Sequence, residues 1–581
     1  MSKPLIQRRL DPLGAGSDLH ERALFARILA SRGVCSSDEL DLGFGGLLPP
    51  SGLLGARDAA ALIASAMSRN QRILVVGDFD ADGATSVTLF VSCMRAFGYE
   101  VQYLVPNRFD YGYGLTPEIV EVATQYAPDL IVTVDNGIAS HAGIDLAKAK
   151  GWQVLVTDHH LPAETLPNAD VIVNPNQPDC AFQSKALAGV GVIFYVLLAL
   201  RAFLRDQGWF EAKGIVEPNL AEFLDLVALG SVADVVPLDR NNRILVEQGL
   251  RRMRSGIMRP GIQALLEVAN KSWRTLVAQD LGFALGPRIN AAGRLDDISV
   301  GIRCLLSRDL FEARELANRL DEFNRERRLI EQTMKADAQV LLAQLPAFEA
   351  GKLPAAITLY DASWHQGVVG ILASRIKEQY HRPVIVFAND GEQYLKGSAR
   401  SIEGVHIRDV LDSIATMNPG LISKFGGHAM AAGLTIPASA LEAFGQALDN
   451  FLEDNTPPEL FYPVKLSDGA LSESEFSLSV AQELRVLQPW GQQFPEPLFD
   501  NEFRIVELRI LSGQHAKMRL ELASSNAMLD AIAFNVDVDF YQANLGQTLR
   551  FLYRLDVNEF RGLESLQLII EYAERPLEHS L

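Results

Sequence analysis

Acidic and histidine residues stand directly after three short apolar runs of this chain, and this pattern constrains its fold most strongly. In the first, three aspartates alternate in the sequence GDFDADG, directly after the apolar run at residues 73–76. The other two sequences are VDNG at residues 134–137 and TDHH at residues 157–160. In an open parallel sheet, strands deliver such residues to one crevice at their carboxyl ends. The three runs therefore predict a single assembled site at the edge of a parallel sheet.

Metal binding is the chemistry that these residue types favour. Carboxylate oxygens combined with imidazole suit Mn²⁺ or Mg²⁺ better than a thiolate-bound zinc. A further aspartate, in the sequence GSVADVVP, extends the set. The candidate residues are Asp78, Asp80, Asp82, Asp135, Asp158, His159, His160 and Asp234.

Each of these motifs has an ordinary structural interpretation when it is taken alone. The alternating aspartates also match the start of a calcium-binding EF loop, but Leu89 stands where that loop needs a glutamate. Asp135 and Asn136 before Gly137 are typical turn residues. Asp234 is compatible with a helix cap or a turn. The combination favours a site, because the ordinary interpretation requires four independent coincidences.

Length and composition indicate a multidomain globular protein. A chain of 581 residues predicts roughly three or four domains. The net charge of −19 argues against a uniformly basic nucleic-acid binder, although it does not exclude a locally basic channel. The four cysteines form no CxxC pair, which is typical of a reducing compartment. The longest apolar run, residues 190–200, is too short to span a bilayer, so we expect a cytoplasmic protein without membrane contact.

The order of apolar runs predicts two α/β domains, a long helix and a β-barrel. Residues 58–200 alternate strand-like and helical patterns, which indicates a mostly parallel sheet. A helical stretch is expected at residues 220–254, followed by a segment broken by glycine and proline. Residues 309–345 lack both glycine and proline and predict one connecting helix. A second βα pattern begins at Ala355, and alternating runs near the C-terminus predict a small barrel.

The motifs, taken in order, resemble those of the DHH phosphoesterase superfamily. GDFDADG, VDNG, TDHH and GSVADVVP are similar to its four signature motifs. Four further sequences resemble motifs of one branch, the RecJ single-strand-specific 5′ exonucleases. These are GPRINAAGR, DASWHQGVVGILASR, KGSARS and FGGHAMAAG. The resemblance extends from about residue 50 to the C-terminal end.

This resemblance implies a division of the chain into five parts. They are an N-terminal segment (1–50), a DHH catalytic domain (51–305), a long connecting helix (306–348), a DHHA1-type phosphate- and substrate-binding domain (349–462) and an OB-type nucleic-acid-binding domain (463–581). Trp490 and Phe494, near the start of the last part, suit either base stacking or a clamp on the linker.

The resemblance also implies a two-metal site of Mn²⁺ or Mg²⁺. The ligands of the first metal would be Asp82, Asp135, His159 and Asp234. The ligands of the second would be Asp80 and the bridging Asp135, with Asp78 supporting or ligating. Two such cations activate a water molecule and neutralise charge during in-line displacement at phosphorus. We expect His160 to contact the scissile phosphate and Asp158 to orient an imidazole.

A second set of residues is expected to bind the phosphates or the end of the substrate. The sequence GSARS places hydroxyls and a guanidinium beside a glycine, which suits an anion. Without the resemblance, an ordinary connection between strands with a surface arginine would be the preferred interpretation. The predicted substrate-binding residues are Arg108, Arg288, His365, Ser398, Arg400, Ser401, Gly427 and His428.

The resemblance implies an exonuclease that degrades single-stranded DNA from its 5′ end to 5′-mononucleotides, in DNA recombination and repair. We expect a monomer, with a single-strand DNA-binding protein as a partner. One alternative is a DHH phosphodiesterase for short oligonucleotides or cyclic dinucleotides, against which the chain length and the extra β domain argue. Another is a catalytically inactive DNA-binding scaffold, which would have no use for five clustered ligands.

Overall fold

The computed structural model describes residues 4–9, 19–106, 114–344 and 353–576. They belong to two compact units. One unit comprises residues 8–321 and 467–581, and the other comprises residues 1–7 and 322–466. None of the described helices combines the length and the hydropathy that crossing a bilayer requires.

The N-terminal part of the chain is mainly helical. Its elements are strand β1 (Leu5–Arg8), helix α1 (Ala23–Ala30) and helix α2 (Ala56–Ser68). The ion pair between Arg32, just after α1, and Asp468 is almost fully buried, with Nη1 of the arginine 2.8 Å from Oδ1. This pair ties the N-terminal segment to the start of the C-terminal part within the same unit.

A five-stranded parallel sheet forms the first α/β domain, as the alternation of residues 58–200 predicts. Its strands are β2 (Ile73–Gly77), β3 (Gln102–Leu104), β4 (Leu130–Val134), β5 (Gln153–Thr157) and β6 (Val171–Val173). The helices between them are α3 (Ala81–Ala96), α4 (Pro117–Ala123) and α5 (His141–Ala149). The strand order is β3-β2-β4-β5-β6, so the chain reverses its direction of progress next to β2. Ligand crevices of open α/β sheets lie at such a switch point.

Helices follow the sheet and close the first domain. They are α6 (Gly189–Asp206), α7 (Trp209–Lys213), α8 (Leu224–Ala233), α9 (Arg240–Arg254), α10 (Pro260–Val268), α11 (Ala278–Asp280), α12 (Gly286–Leu295) and α13 (Ser299–Leu306). The stretch expected to be helical at residues 220–254 is divided between α8 and α9 by residues 234–239. The segment expected to be broken by glycine and proline is helical instead, with a π-helical turn at Leu281–Leu285 before α12. Pro287 is compatible with α12 because it stands in the first turn, where its missing N–H is not needed.

The predicted connecting helix is α14 (Leu310–Ala343), which is 34 residues long. The second α/β domain follows it. Its elements are β7 (Ile357–Tyr360), α15 (Val369–Tyr380), β8 (Val384–Asp390), β9 (Tyr394–Arg400), α16 (Ile407–Met417), β10 (Lys424–Gly427), β11 (Ala431–Pro437) and α17 (Leu441–Asn455). The strand order is β10-β11-β9-β8-β7, with only β7 and β8 parallel.

The C-terminal part is a closed five-stranded barrel. After β12 (Val464–Ser467) and α18 (Leu478–Leu487), its elements are β13 (Phe499–Leu511), β14 (His515–Leu522), β15 (Met528–Ala533), α19 (Val538–Ala543), β16 (Thr548–Phe560) and β17 (Leu563–Glu574). The barrel closes in the order β13-β14-β15-β17-β16, and its helix lies between the third and fourth strands. The predicted class of two α/β domains, a long helix and an OB-type barrel is thereby confirmed.

Candidate metal centre

The three motifs found in the sequence meet at one edge of the first sheet. Gly77 at the end of β2 pairs with Val134 of β4, and Val134 pairs with Thr157 of β5. The residues that directly follow these three strands are Asp78, Asp135 and Asp158. Because the strand ends are in register, the three carboxylates reach the same level of the sheet edge. The structure thus has the arrangement that the apolar runs predict.

Seven of the eight candidate residues form three groups that can hold a metal ion. The ligand atoms within each group lie within 4.8 Å of one another. The groups are Asp82 with His159 and Asp234, Asp78 with Asp80 and Asp135, and Asp135 with His159 and His160. Asp135 belongs to two groups and His159 to two, so the groups are contiguous. The position of Asp135 between them matches the bridging role implied by the resemblance.

Asp234 joins the site from the C-terminal end of α8. Its Oδ2 lies 3.5 Å from Nε2 of His159, and Oδ1 of Asp135 lies 3.1 Å from the same nitrogen. Asp135 and Val235, which follows Asp234, both have left-handed backbones, with φ of 62° and 59°. For residues other than glycine this conformation is strained, and such strain concentrates at functional sites. The two turns therefore direct these carboxylates to the centre, and contacts with the surrounding structure offset the conformational strain.

Asp80 and Asp82 also have structural roles at helix N-termini. Asp80 caps α3, because its Oδ1 accepts hydrogen bonds from the backbone N–H groups of Asp82 at 2.9 Å and Gly83 at 3.0 Å. The carboxylate of Asp82 accepts from the N–H groups of Gly189 at 2.6 Å and Val190 at 2.9 Å, in the first turn of α6. Carboxylate oxygens have further lone pairs for a cation. These bonds hold both side chains in place before any metal binds.

Gly189 is required at the start of α6 by the close approach of the metal centre. A side-chain carbon at this position would lie 2.6 Å from Cβ of Asp135. Real carbon atoms do not approach this closely, so the glycine lets the helix N-terminus lie directly against the site.

Burial and like charge raise the pKa of three carboxyl groups of the cluster, those of Asp82, Asp135 and Asp234. The pKa of Asp82 is raised to about 7, first by burial and then by the charge of Asp80. Burial and the neighbouring carboxylates raise the pKa of Asp135 and of Asp234 well above the usual range. Several buried carboxylates beside an imidazole are unfavourable together unless a cation neutralises them. The donor set, dominated by oxygen, therefore fits Mn²⁺ or Mg²⁺.

Asp158 holds the imidazole of His160 at the edge of the site. Its Oδ1 lies 2.7 Å from Nδ1 of His160, and its Oδ2 accepts from the N–H of Ile138 at 2.9 Å. Burial opposes both charges, but the hydrogen bond between them lowers the pKa of Asp158 to about 2 and raises that of His160 to about 9. His160 is therefore an imidazolium at neutral pH, with about a third of its side chain exposed.

Two asparagines that the sequence analysis did not select also support the centre. Asn136 donates from Nδ2 to the carbonyl oxygens of Val76, at 3.1 Å, and Val134, at 2.9 Å, and so joins the ends of β2 and β4. Asn290 accepts from the N–H of Ala81 at 2.8 Å. Both asparagines lie within quoted motifs, VDNG and GPRIN, but the bonds to Val76 and Ala81 join residues distant in the sequence.

In the second α/β domain, two predicted residues lie at the N-terminus of a helix. Arg400 donates from Nη1 to Oγ of Ser398 at 3.0 Å and to the carbonyl of Ala399 at 2.8 Å. A side-chain carbon at Gly370 would lie 2.9 Å from both Nη2 of Arg400 and Oγ of Ser398. Gly370 is in the first turn of α15, so a guanidinium and a hydroxyl stand beside a positive helix end. Such a combination suits a phosphate.

Three further predicted residues belong to the loops around this helix end and strand pair. His365 precedes α15, and its Nδ1 accepts from the N–H of Gly367 at 3.1 Å. Gly427 has a φ of 148°, and a side-chain carbon there would lie 2.4 Å from Cα of Ala432. His428 follows in the same turn. Arg108, which was also predicted to bind substrate, lies outside the described residues.

Arg288 and Ser401, which were expected to contact phosphate, have buried partners within the protein. Arg288 donates from Nε to Oδ1 of Asp321 at 2.9 Å, and both residues are buried. Ser401 is fully buried and donates its hydroxyl proton to the carbonyl of Val405 at 2.7 Å. These contacts favour structural roles for the two residues. Sequence analysis could not separate Ser401 from Ser398, because both stand in the same short motif.

Trp490 and Phe494 form a clamp rather than an open stacking surface. Both side chains are buried, and their rings stack with centroids 5.4 Å apart at an angle of 15°. The indole N–H of Trp490 donates to the carbonyl of Leu484 at 2.9 Å. Of the two interpretations left open by the sequence, the linker clamp agrees with this burial.

Three family models match the chain in the order of its domains. The model described as the DHH family, N-terminal domain, matches residues 72–231. The DHHA1 domain matches residues 352–454, and the RecJ OB domain matches residues 467–572.

Curated relatives match almost the whole chain. The chain is 54% identical over 549 residues to the single-stranded-DNA-specific exonuclease RecJ of Salmonella typhimurium, covering 94% of this chain and 95% of that protein. It is 32% identical over 561 residues to the protein of the same name from Bacillus subtilis, covering 96% of this chain and 68% of that protein.

Solved structures agree with these relatives. A crystal structure of RecJ in complex with Mn²⁺ from Thermus thermophilus superposes with a TM-score of 0.79 at 31% identity, covering 98% of this chain and 80% of that one. A structure of RecJ with Mg²⁺ from the same organism has a TM-score of 0.75 at 29% identity, covering 98% and 79%.

Proposed function

The chain belongs to the RecJ family of single-stranded-DNA-specific exonucleases, and on this premise we propose that it hydrolyses single-stranded DNA from the 5′ end to 5′-mononucleotides. The observation that carries the proposal is the convergence of carboxylates and imidazoles from three strand ends and one helix end. The raised pKa values of Asp82, Asp135 and Asp234 and the oxygen-rich donor set suit Mn²⁺ or Mg²⁺, the ions in the titles of the similar RecJ structures.

We assign the ligands as the resemblance implies. The first cation is held by Asp82, Asp135, His159 and Asp234. The second is held by Asp80 and Asp135, with Asp78 supporting or ligating. When bound, the two cations supply a water molecule of lowered pKa and neutralise charge on the attacked phosphate. Asp80 and Asp82 are preorganised for this task by the helix N-termini that they contact.

His160 contributes positive charge at the edge of the same site. Asp158 keeps its imidazole protonated and fixes its orientation through the 2.7 Å contact to Nδ1. The remaining ring nitrogen, Nε2, is then a donor as well. We propose that it donates to an oxygen of the scissile phosphate, where a developing negative charge strengthens the hydrogen bond.

The second α/β domain is proposed as a phosphate holder. Arg400 and Ser398 stand at the positive end of α15, while His365, Gly427 and His428 belong to the adjoining loops. A guanidinium there binds a phosphate through two parallel N–H donors, and the helix end adds backbone donors. This domain would then bind the backbone of the strand and not its bases, as a sequence-independent nuclease requires.

The five-part division of the chain is proposed on the same basis. Residues 51–305 are the catalytic domain, 306–348 the connecting helix, 349–462 the phosphate-binding domain and 463–581 the OB-type domain that binds the single strand. We further propose a monomer that acts in DNA repair and recombination with a single-strand DNA-binding protein. The four free cysteines are consistent with a reducing, cytoplasmic location.

The decisive experiment follows a 3′-labelled single strand in Mn²⁺, beside the same strand with a blocked 5′ end. The wild-type protein should shorten the free strand progressively and leave the blocked strand intact. Asp135→Ala should abolish shortening. Asp145→Ala is the matched control, because this exposed aspartate lies on α5, which follows the same motif.

Two substrates distinguish the proposal from its alternatives. A blunt duplex should resist degradation, and equal rates on duplex and single strand would contradict single-strand specificity. A dinucleotide should turn over much more slowly than a long strand. Rapid turnover of the dinucleotide with an intact long strand would indicate a small-substrate phosphodiesterase instead.

A further inference from the structure

The linker before the barrel carries a four-membered stack, here named the aromatic clamp and composed of Arg32, Trp490, Phe494 and Arg243. The guanidinium of Arg32 lies 5.3 Å from the ring centroid of Trp490, and that of Arg243 lies 4.1 Å from the centroid of Phe494. The two rings stack on each other, and each has one of these cations near its centroid. Arg32 also donates from Nε to the carbonyl of Pro495 at 2.7 Å. The clamp therefore joins three regions of one unit, namely the N-terminal segment, the linker and helix α9.

The clamp contacts the turn that follows the metal-site aspartate of α8. In the segment that connects Trp490 to Phe494, the backbones of Gly491 and Phe494 exchange hydrogen bonds of 2.9 and 3.1 Å, which close a tight loop. The carbonyl of Gln492 in this loop accepts from the N–H of Leu238 at 2.9 Å. A side-chain carbon at Gly491 would lie 2.7 Å from Cδ1 of Leu238, which is buried. Leu238 is four residues beyond Asp234, so the loop packs against the turn from Asp234 to α9.

Asn242, at the start of α9, holds the same turn from its other side. It is fully buried, and its Nδ2 donates to the carbonyl of Pro237 at 2.9 Å and to that of Ala186 at 2.6 Å. The orientation of the amide is determined by these bonds, because the reverse orientation would place its oxygen against two carbonyl oxygens. Asp239 caps α9 by accepting from the N–H of Asn242 at 2.9 Å. It also accepts from Oγ of Ser184 at 2.6 Å.

One of the two carbonyls bound by Asn242 follows Asp234 in the chain, and the other precedes the helix start that binds the carboxylate of Asp82. Pro237 is three residues after Asp234. Ala186 is three residues before Gly189, whose N–H binds the carboxylate of Asp82. The side-chain amide of Asn242 thus joins the backbone next to Asp234 to the backbone that leads to the binding site of Asp82.

We propose that Asn242, supported by the aromatic clamp, is a positioning residue that keeps Asp82 and Asp234 at the separation required for metal binding. This inference rests on the assignment of the metal centre under the proposed function. Buried carboxylates repel one another, so an unsupported turn at Asp234 would relax away from Asp82 in the metal-free protein. The link prevents this relaxation and preorganises the ligands. The clamp carries the same constraint to the linker of the OB-type domain.

The test is the Mn²⁺ affinity of the metal-depleted full-length chain, measured by electron paramagnetic resonance of free Mn²⁺. Asn242→Ala should weaken binding about tenfold or more, as the loss of outer partners of metal ligands does. The matched control is Asn544→Ala. Asn544 is also buried and donates to a backbone carbonyl, that of Phe540 at 2.7 Å, but it lies in the barrel. Its substitution should lower thermal stability without changing the affinity.

If Asn242→Ala does not fold, a second pair of variants tests whether the packing around the turn after Asp234 determines the Mn²⁺ affinity. Gly491→Ala should displace Leu238 and weaken Mn²⁺ binding in the same direction. Gly45→Ala is its control, because a side-chain carbon there meets no atom within 4 Å. Wild-type affinity in Asn242→Ala, or in Gly491→Ala where only that variant folds, would overturn the proposal.

Exonuclease assays separate this inference from the proposed function. In Asn242→Ala, the Mn²⁺ concentration for half-maximal activity should rise about tenfold, while kcat at saturating Mn²⁺ stays close to the wild-type value. A wild-type chain that binds Mn²⁺ but degrades no DNA would contradict the proposed function and leave the positioning role standing. If the wild-type chain degrades DNA but the variants bind Mn²⁺ with unchanged affinity, the proposed function stands and the positioning role of Asn242 is wrong.

Discussion

Oδ1 of Asp158 lies 2.7 Å from Nδ1 of His160, and the same oxygen accepts from the backbone N–H groups of His159 at 2.7 Å and His160 at 3.1 Å. One buried carboxylate thereby fixes the backbone of the TDHH motif and the protonation of its last imidazole. The arrangement separates the two adjacent histidines by role. Nε2 of His159 faces Asp135 and Asp234, while the contact with Asp158 raises the pKa of His160.

Asp158→Asn should lower the pKa of His160 from about 9 towards its ordinary value of 6.5, because the opposite charge is lost. Measurement by NMR of the metal-free protein would show the shift directly. Strand degradation should fall most above pH 7, where the variant imidazole becomes neutral. An unchanged pKa of His160 in the variant would mean that another group maintains its charge.

The metal-free protein should lose stability as the pH rises from about 4 through 7. The pKa of Asp82 is about 7 in the folded protein and near 3.8 when unfolded, so the folded state binds more protons over this range. The free energy of unfolding therefore falls with rising pH for this group. Mn²⁺ neutralises the same carboxylates, and its stabilising effect on thermal unfolding should grow from pH 5.5 to 8, with proton release on binding. An effect of Mn²⁺ that is independent of pH would contradict this assignment.

Asp135→Asn should stabilise the metal-free protein at pH 8 while removing its response to Mn²⁺. The substitution deletes a buried charge whose pKa is raised well above the usual range by burial and by Asp82. The folded state disfavours the charged form of this carboxyl group, so its removal should raise the free energy of unfolding of the metal-free protein. Chemical unfolding in EDTA and in Mn²⁺ measures both effects. Asp145→Asn serves as the control, and a destabilised Asp135→Asn would indicate that the carboxylate is required for folding.

Arg400→Ala should raise KM for single-stranded DNA about tenfold to a hundredfold, since hydrogen bonds to charged groups contribute about 1.5–3 kcal/mol. Ser401→Ala provides the contrast within the same motif. It leaves the carbonyl of Val405 without its hydroxyl donor, and should lower the free energy of unfolding by about 1–3 kcal/mol with little change in KM. Steady-state kinetics and denaturant unfolding on both variants test the distinction. A raised KM with unchanged stability in Ser401→Ala would instead support a phosphate contact of Ser401.

Arg288→Met should destabilise the protein by about 3–5 kcal/mol, because it breaks a buried ion pair with the carboxylate of Asp321. The double variant Arg288→Met, Asp321→Leu should recover most of this loss. Denaturant unfolding of the single and double variants measures the coupling. A stable single variant with a raised KM would instead support the phosphate contact predicted from the sequence.

The convergence of acidic residues at the sheet edge could be predicted from the sequence because their placement is a local property. Asp78, Asp135 and Asp158 each follow an apolar strand, and parallel strands in register bring their ends together. The class of fold followed from the same alternation. The helical path of residues 286–295 was not predicted, because Pro287 and two glycines suggest a break where the packing of α12 tolerates them.

By itself, the sequence determined which residue types reach the sheet edge, in what order, and to which family the chain belongs. Tertiary structure alone decided the partners of each side chain. Asp82 meets its amide donors 107 residues away, and the amide of Asn242 meets Ala186 56 residues away. Burial, charge state and hydrogen-bond partners depend on such distant contacts, which no local pattern encodes. For this reason two serines three residues apart differ in their surroundings. Ser398 lies beside the N-terminus of a helix, whereas Ser401 is buried and donates to a backbone carbonyl.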